Sequence, residues 1–196
     1  MQERKLVFAT NNEHKLKEIK EILSGKFSVY GLKEIGFNED IEESGSTLNE
    51  NASIKSHTIH DRFNIDVFAD DTGLEVEALN NRPGVYSARY AGEDGNSEAN
   101  IKKLLEELSG KDNRNARFRT VISLIINDKE FQFEGRVYGK IAYKKYGKDG
   151  FGYDPVFLPD GYEKSFAEMT SEEKNRISHR ANAMAKFIDF LSKESF

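Results

Sequence analysis

The chain of 196 residues contains no cysteine. This absence excludes disulfide bonds, zinc sites made of thiolates and cysteine nucleophiles, so any metal ion must be bound by oxygen or by histidine. The sequence also lacks any apolar run near the roughly 18 residues that a membrane-spanning helix needs, and its first residues do not resemble the core of a signal peptide. We therefore expect a cytoplasmic protein that makes no contact with membranes.

A basic excess is missing as well. Lys and Arg number 29 against 34 Asp and Glu, which gives a formal net charge of −5. General nucleic-acid binders normally carry a basic excess or a basic stripe, so we expect no nucleic-acid partner. Binding of a phosphate would then depend on a few placed cations. The length suits one domain with a substantial core, and we take residues 1–196 as a single domain.

The centre of the sequence joins a predicted buried strand to two acids. Residues 67–69 are apolar, and Asp70 and Asp71 follow them directly. Because consecutive strand residues point to opposite faces, only one of the two aspartates can face a cleft unless the strand has already ended. Thr72 and Gly73 predict a turn at this point. We therefore take Asp71, which lies beside the turn, as the functional acid.

An earlier turn has the composition of a phosphate site. A strand over residues 5–9 is predicted to lead through residues 10–15 into a helix, whose apolar residues recur at helical spacing. The start of a helix offers unpaired backbone N–H groups and partial positive charge, which suit phosphate, and Lys15 adds a full charge. The residues alone leave a second interpretation open, in which Thr10 or Asn11 simply caps the helix.

The segments that follow have mostly structural interpretations. Residues 39–45 form an acidic loop, and most such clusters are solvated surface. Thr47 and Glu50 form a capping box for a helix that ends near residue 63. A further helix over residues 97–108 and a hairpin of residues 118–126 and 131–143 are predicted from periodicity and turn residues. Arg117 and Arg119, two apart on a strand, are predicted to share a solvated face.

Two segments near the end of the chain combine charge with aromatic or helical patterns. Residues 147–155 are rich in glycine and aromatics and include Asp154, which suits either purine binding or ordinary packing. Further on, His179 and Arg180 would lie roughly 140° and 240° around one unbroken helix from Lys174. We therefore predict a break near residue 177, with a new helix capped by Ser178. Cations in its first turn oppose the helix dipole, which indicates a bound anion, although a lone histidine is usually packed or exposed.

Several motifs together resemble the inosine triphosphate pyrophosphatase family, which hydrolyses non-standard purine nucleoside triphosphates to monophosphate and pyrophosphate. They are the turn at residues 10–15, the segment at residues 42–55, ADDTGLEVEAL and PGVYSARYAG within residues 69–92, FGYDPVFLP from Phe151, and the closing pattern of Lys174, His179 and Arg180. Asn11 stands where the family has glycine, and Thr72 where it has serine. The chain has no Gly-x-x-x-x-Gly-Lys-Ser/Thr loop, so it is not a P-loop nucleotidase.

The resemblance implies an α/β fold, with a long mixed β-sheet, flanking helices and two lobes that enclose a nucleotide cleft, usually in a homodimer. It implies that Asp71 is the catalytic residue and binds Mg²⁺ together with Glu42, with Glu43 as the fallback for the second ligand. The substrate-binding residues that it implies are Thr10, Asn11, Asn12, Glu13, His14, Lys15, Lys55, Thr72, Phe151, Gly152, Tyr153, Asp154, Lys174, His179 and Arg180.

A rival function is a non-catalytic sensor or regulatory module that binds purine nucleotides. Such a module would keep the cations and the purine pocket, but it would not need acids aligned on a metal ion. The carboxylates of Glu42 and Asp71 favour the enzyme, because Mg²⁺ prefers hard oxygen ligands and bridges anionic substrates to one or two carboxylates.

Overall fold

The structure is a computed structural model that describes residues 5–23, 25, 27–92 and 95–193, except for the side chains at positions 14, 18 and 22. Within this part of the chain no helix is both long and apolar enough to span a bilayer. The helices and strands described are, in chain order, β1 Lys5–Phe8, α1 Glu13–Leu23, β2 Ser28–Gly31, α2 Leu48–Phe63, β3 Val67–Val76, β4 Arg82–Pro83, α3 Ser97–Glu107, β5 Asn115–Ile126, β6 Lys129–Ile141, β7 Phe157–Pro159, α4 Ser171–Ile177 and α5 His179–Lys193.

The strands form one mixed sheet, and its order is β2-β1-β3-β5-β6-β7, with β4 paired to β3. Strand β1 runs parallel to both β2 and β3, whereas β7 is antiparallel to β6. Parallel neighbours need crossover connections, and here these contain α1 and α2. The fold is therefore an α/β fold with a mixed sheet and flanking helices, as the family resemblance implies.

The chain divides into two compact units. Unit 1 comprises the described residues up to Asp71 together with Val121–Phe133. Its core is built where apolar residues of β1, β3 and β5 meet α2, and the rings of Phe8 and Phe68 stack with centroids 4.6 Å apart. The buried side of α2 includes Leu48, Ala52 and Ile59, and the helix has the capping box and the end that the sequence predicts.

Unit 2 comprises Thr72–Thr120 and the described residues from Glu134 onwards. Its core contains an aromatic cluster in which Phe118 contacts Phe157, Phe166 and His179. Helix α3 buries Ile101 and Leu104, so it has the packing role expected from its sequence. The break between α4 and α5 falls at Ser178, whose hydroxyl accepts a hydrogen bond from the amide of Ala181. The predicted break and cap are therefore confirmed.

Two local predictions are wrong, and one interpretation that the sequence left open is excluded. Thr72 and Gly73 form no turn, because β3 continues without interruption from Val67 to Val76 and the buried side chains of Leu74 and Val76 keep it in the sheet. The cap of α1 is neither Thr10 nor Asn11. Asn12 fills this position, and its side-chain oxygen accepts a hydrogen bond from the amide of Lys15.

The third correction concerns the arginine pair on β5. Arg117 and Arg119 do share one face, since both contact the carboxylate of Glu75. That face is not simply solvated, because Glu75 is buried and Arg119 also pairs with Glu134 at 2.7 Å. The two arginines therefore belong to an ion-pair network on the sheet.

Candidate active site

The turn between β1 and α1 carries the first group of predicted site residues, and all of it lies in unit 1. Asn12 caps α1, and its amide bonds to the hydroxyl of Thr10 at 3.2 Å. Asn11 donates a hydrogen bond to Asp40 at 3.0 Å, which ties the turn to the acidic loop. The start of α1 is therefore bonded within its own turn and to the acidic loop.

The remaining residues of this turn have different surroundings. Glu13 forms an exposed ion pair with Lys33 at 2.8 Å, on the side of α1 that faces the segment after β2. The side chain of His14 lies outside the described part of the structure. Lys15 donates two hydrogen bonds, each 2.9 Å long, to the two carboxylate oxygens of Asp70. Lys15 and Asp70 thus form a bidentate pair between the first turn of α1 and strand β3.

Asp71 follows Asp70 on the same strand but has other partners. Its side chain is 11% exposed, and it accepts a hydrogen bond at 3.2 Å from the amide nitrogen of Asn51. The ammonium group of Lys55 lies 3.5 Å from its other oxygen. Asn51 and Lys55 are four residues apart on α2, so they share one face of the helix. Helix α2 therefore holds both oxygens of Asp71.

Four charged side chains act on Asp71: the ammonium groups of Lys55 and Lys15 and the carboxylates of Glu43 and Asp70. Burial raises the pKa of Asp71 above its ordinary value, and this rise is opposed by Lys55 and Lys15 but increased by Glu43 and Asp70. Burial alone would lower the pKa of Lys55, but the charges of Asp71, Glu43 and Asp70 raise it overall, so this lysine is charged at neutral pH. Three carboxylates thus surround two ammonium groups, and an added cation would stabilise the ionised form of Asp71.

The two acids of the loop before α2 differ in their contacts. Glu43 is half-buried and bonds to Lys55 at 2.7 Å, so it is already paired with a cation. Glu42 is exposed and forms no ion pair with any described residue. The oxygens of Glu42 are therefore available to a metal ion, whereas those of Glu43 position Lys55.

The oxygen donors of this site suit Mg²⁺ when the substrate and water supply the other ligands. Among the described residues no three acidic or histidine side chains are gathered closely enough to hold a metal by themselves. Mg²⁺ usually keeps several waters and is bound by one or two carboxylates together with substrate phosphates. Asp71 and an acid of the loop before α2 have the oxygen donors for that arrangement, and Glu43 is the loop acid whose charge acts on Asp71.

A second group of predicted site residues lies in unit 2, around the glycine-rich loop before β7. Asp154 is buried, and its Oδ2 accepts hydrogen bonds from the amide of Phe151 at 2.9 Å and from Lys174 at 2.6 Å. A Cβ on Gly150 would lie 2.4 Å from that same oxygen, and the φ of this residue is +80°, so only glycine fits there. The pair of Asp154 and Lys174 therefore fixes the loop to α4.

Phe151 presents an aromatic surface in this group. Its side chain is 50% exposed, and the ammonium of Lys174 and the guanidinium of Arg180 lie 4.7 and 5.7 Å from the ring centroid. An exposed ring of this kind can stack on a purine. Tyr153 points elsewhere, because its buried hydroxyl bonds to the carbonyl of Ser87, and burial raises its pKa. Gly152, with a φ of +60°, links these two aromatic residues.

The three remaining predicted contacts of unit 2, His179, Arg180 and Thr72, have structural partners. His179 is buried, and its ring stacks on Phe118 with centroids 4.7 Å apart, which is the packed role common for a lone histidine. Arg180 is buried beside it in the first turn of α5. Thr72 shares a hydrogen bond of 2.8 Å with the hydroxyl of Thr120.

Sequence reasoning missed Asn51 as a site residue. Its spacing of four from Lys55 was a usable signal, because two polar residues on the buried side of an amphipathic helix require partners. Asp40 was also missed. Its contact with Asn11 joins segments that are 29 residues apart, which no local pattern indicates.

Comparisons with known proteins find similarity over almost the whole chain. A sequence model of the Ham1 family matches residues 6–190. The dITP/XTP pyrophosphatase of Porphyromonas gingivalis is 57% identical over 188 residues, which cover 95% of this chain and 97% of that protein. The protein of the same name from Bacillus subtilis is 49% identical over 94% of this chain and 96% of its own length. The structure of the Staphylococcus aureus Ham1 protein superposes with a TM-score of 0.92 at 44% identity, covering 98% of this chain and all of that one.

Proposed function

Because this chain belongs to the Ham1 family, we propose that it hydrolyses non-standard purine nucleoside triphosphates to the monophosphate and pyrophosphate. Relatives that match it from end to end are named dITP/XTP pyrophosphatases, so inosine, xanthosine and their deoxy forms are the substrates we propose. The enzyme would remove these nucleotides from the cellular pool. Its site, its Mg²⁺ dependence, its homodimeric state and its cytoplasmic location are parts of the same proposal.

The observation that carries the proposal is the environment of Asp71. A buried carboxylate with a raised pKa, held at both oxygens by α2, is suited to take a proton from a water molecule. In the proposed reaction the water oxygen bonds to the α-phosphorus, its proton passes to Asp71, and the bond from that phosphorus to the bridging oxygen breaks. Pyrophosphate leaves with that oxygen.

The metal and the phosphates are assigned to residues of unit 1. Glu42 and Asp71 would hold Mg²⁺, which when bound offsets phosphate charge and makes an attached water more acidic. The triphosphate would lie at the start of α1, where Thr10, Asn11, Asn12, Glu13 and Lys15 form the turn. The pairing of Lys15 with Asp70 supports this assignment, because it fixes the ammonium group near the first turn of the helix.

The purine is assigned to residues of unit 2. Phe151 would stack on the base, while Asp154 and Lys174 fix the loop that presents the ring. Arg180 would meet the 6-oxo group or a phosphate from the first turn of α5. Donors placed for a 6-oxo group would meet the amino group of adenine without a partner, at a cost of about 1 to 3 kcal/mol. Adenosine triphosphate is therefore expected to be a poor substrate.

Product analysis tests this function. With inosine triphosphate and Mg²⁺, the protein should release one pyrophosphate for each inosine monophosphate, and omission of the metal should abolish turnover. Binding of inosine triphosphate without any turnover would instead identify the sensor or regulatory module. Release of orthophosphate and the diphosphate would place the protein in another class of hydrolase.

A further inference from the structure

The buried side chain of Asn51 joins two parts of unit 1 that the proposed reaction needs. Its Nδ2 donates to Asp71 at 3.2 Å, and its Oδ1 accepts from the backbone amide of Gly45 at 2.8 Å. Gly45 closes the acidic loop that contains Glu42 and Glu43. We propose that Asn51 is a positioning residue, which fixes the carboxylate of Asp71 and the acidic loop in one geometry.

The chemistry of the two contacts requires an amide at this position. A carboxylate such as Asp71 only accepts hydrogen bonds, whereas the backbone N–H of Gly45 only donates one. A side chain between them must therefore donate on one side and accept on the other, and only one orientation of the Asn51 amide does both. Asn51 is fully buried, so water does not replace either bond. Aspartate would satisfy Gly45 alone, and leucine would satisfy neither group.

The loop is also seated closely on α2. A Cβ on Gly45 would lie 2.6 Å from Oδ1 of Asn51, 2.7 Å from Cβ of Glu50 and 3.0 Å from the backbone nitrogen of Asn51. The next residue, Ser46, bonds to the carboxylate of Glu50 through its amide and its hydroxyl. The first turn of α2 thus holds the end of the acidic loop, while Lys55, one turn further on, bonds to Glu43.

Asn51 is expected to affect turnover through these two contacts, and this expectation rests on the proposed function. Metal ligands and general bases depend on partners that orient them, and removal of such a partner typically lowers affinity or activity 10- to 100-fold. Loss of the Asn51 donor would remove the shorter of the two contacts by which α2 orients Asp71. Loss of the Asn51 acceptor would release the loop that carries Glu42.

The experiment compares Asn51→Asp with Asn51→Leu, and Asn49→Asp serves as the matched control. Asn49 belongs to the same helix, and its amide bonds to Gln132 at 2.8 Å. At saturating Mg²⁺ we expect Asn51→Asp to lower kcat for inosine triphosphate about 10- to 100-fold, with KM changed less than about twofold. Asn49→Asp should leave both constants nearly unchanged. A kcat for Asn51→Asp within about twofold of the control would overturn the proposal.

A second measurement separates positioning from simple loss of structure. The amide of Gly45 lies in an irregular segment, and its bond to Asn51 should protect it from hydrogen exchange in the intact protein. Protection should persist in Asn51→Asp, which keeps the acceptor, and disappear in Asn51→Leu. Rapid exchange of this amide in the unmodified protein, or protection that survives in Asn51→Leu, would contradict the proposed bridge.

A third variant keeps the test decisive if both Asn51 variants fail to fold. Gly45→Ala leaves Asn51 in place but forces the loop away from it, so kcat should fall about tenfold or more. Unchanged turnover would overturn the proposal. Failure of the proposed function is a separate result, because it would appear as no pyrophosphate release from the unmodified protein, while the exchange of Gly45 would still test the bridge.

Discussion

Asp70 and Asp71 are neighbours in the chain, but their carboxylates contact different residues. Both oxygens of Asp70 bond to Lys15, so this carboxylate is a counter-charge for a lysine at the start of α1. Asp71 is held by Asn51 and by the more distant Lys55, and burial raises its pKa. These surroundings are the reason that we propose Asp71, and not Asp70, as the proton acceptor.

The first prediction follows from these pairs. Asp71→Asn should lower kcat at least about a hundredfold, the usual minimum for loss of a general base. It should not lower the melting temperature at neutral pH. A carboxyl group whose folded-state pKa is raised stabilises the fold only at low pH, and this contribution is lost as the pH rises through that pKa. Removing the charge therefore relieves a cost, and Lys55, which loses Asp71 as a counter-charge, keeps its bond to Glu43 at 2.7 Å.

Asp70→Asn provides the contrast. It leaves the ammonium of Lys15, which is only 17% exposed, without its counter-charge, and breaking a buried pair costs up to about 3 to 5 kcal/mol. This variant should therefore melt earlier than Asp71→Asn and lose less activity. Thermal unfolding and steady-state kinetics on both proteins check this. Equal and mild losses of activity would remove Asp71 as the base.

A second prediction at the residue scale concerns the metal. Glu42 is exposed, while Glu43 already pairs with Lys55. Glu42→Gln should therefore raise the Mg²⁺ concentration needed for half-maximal activity about tenfold or more. Glu43→Gln should change the metal requirement less and affect kcat through Lys55. Magnesium titrations of both variants check this, and the opposite order would assign the second ligand to Glu43.

At the scale of elements, local chemistry was predicted well and long-range pairing was not. The start of α5 at Ser178 and the capping box of α2 follow from side chains within a few residues of each other, so the sequence shows them. The turn assigned to Thr72 and Gly73 failed because sheet pairing and burial outweigh a local turn preference. The contact of Asp154 with Lys174, twenty residues away, depends on the fold and has no local signal.

The third prediction uses two helices that are capped by the same residue type. Asn12 caps α1, and Asn96 caps α3. No side chain of α3 has an assigned role in the site. Asn12→Ala and Asn96→Ala should each destabilise the protein by about 1 kcal/mol. Only Asn12→Ala should also raise KM for the nucleotide, because the start of α1 is assigned to the triphosphate. Equal KM values in the two variants would count against a phosphate site at α1.

At the scale of the whole molecule, alkaline stability provides a fourth prediction. Burial and the hydrogen bond to Glu107 raise the pKa of Tyr90 to about 12. Because the neutral phenol is favoured in the fold, its contribution is complete below the ordinary pKa of 10 and is lost as the pH rises through 12. Tyr90→Phe should therefore be less stable at neutral pH and lose stability less steeply between pH 10 and 12, as measured by denaturant unfolding.

The most direct test of the central claim is to follow the oxygen of the attacking water. We expect hydrolysis of inosine triphosphate in water enriched in the heavy oxygen isotope to place the label in inosine monophosphate, because water attacks the α-phosphorus under the control of Asp71. Asp71→Asn should form labelled inosine monophosphate more slowly, by the same factor as its loss of turnover, while the label per monophosphate stays the same. Label found in pyrophosphate would show attack at the β-phosphorus and would contradict the account.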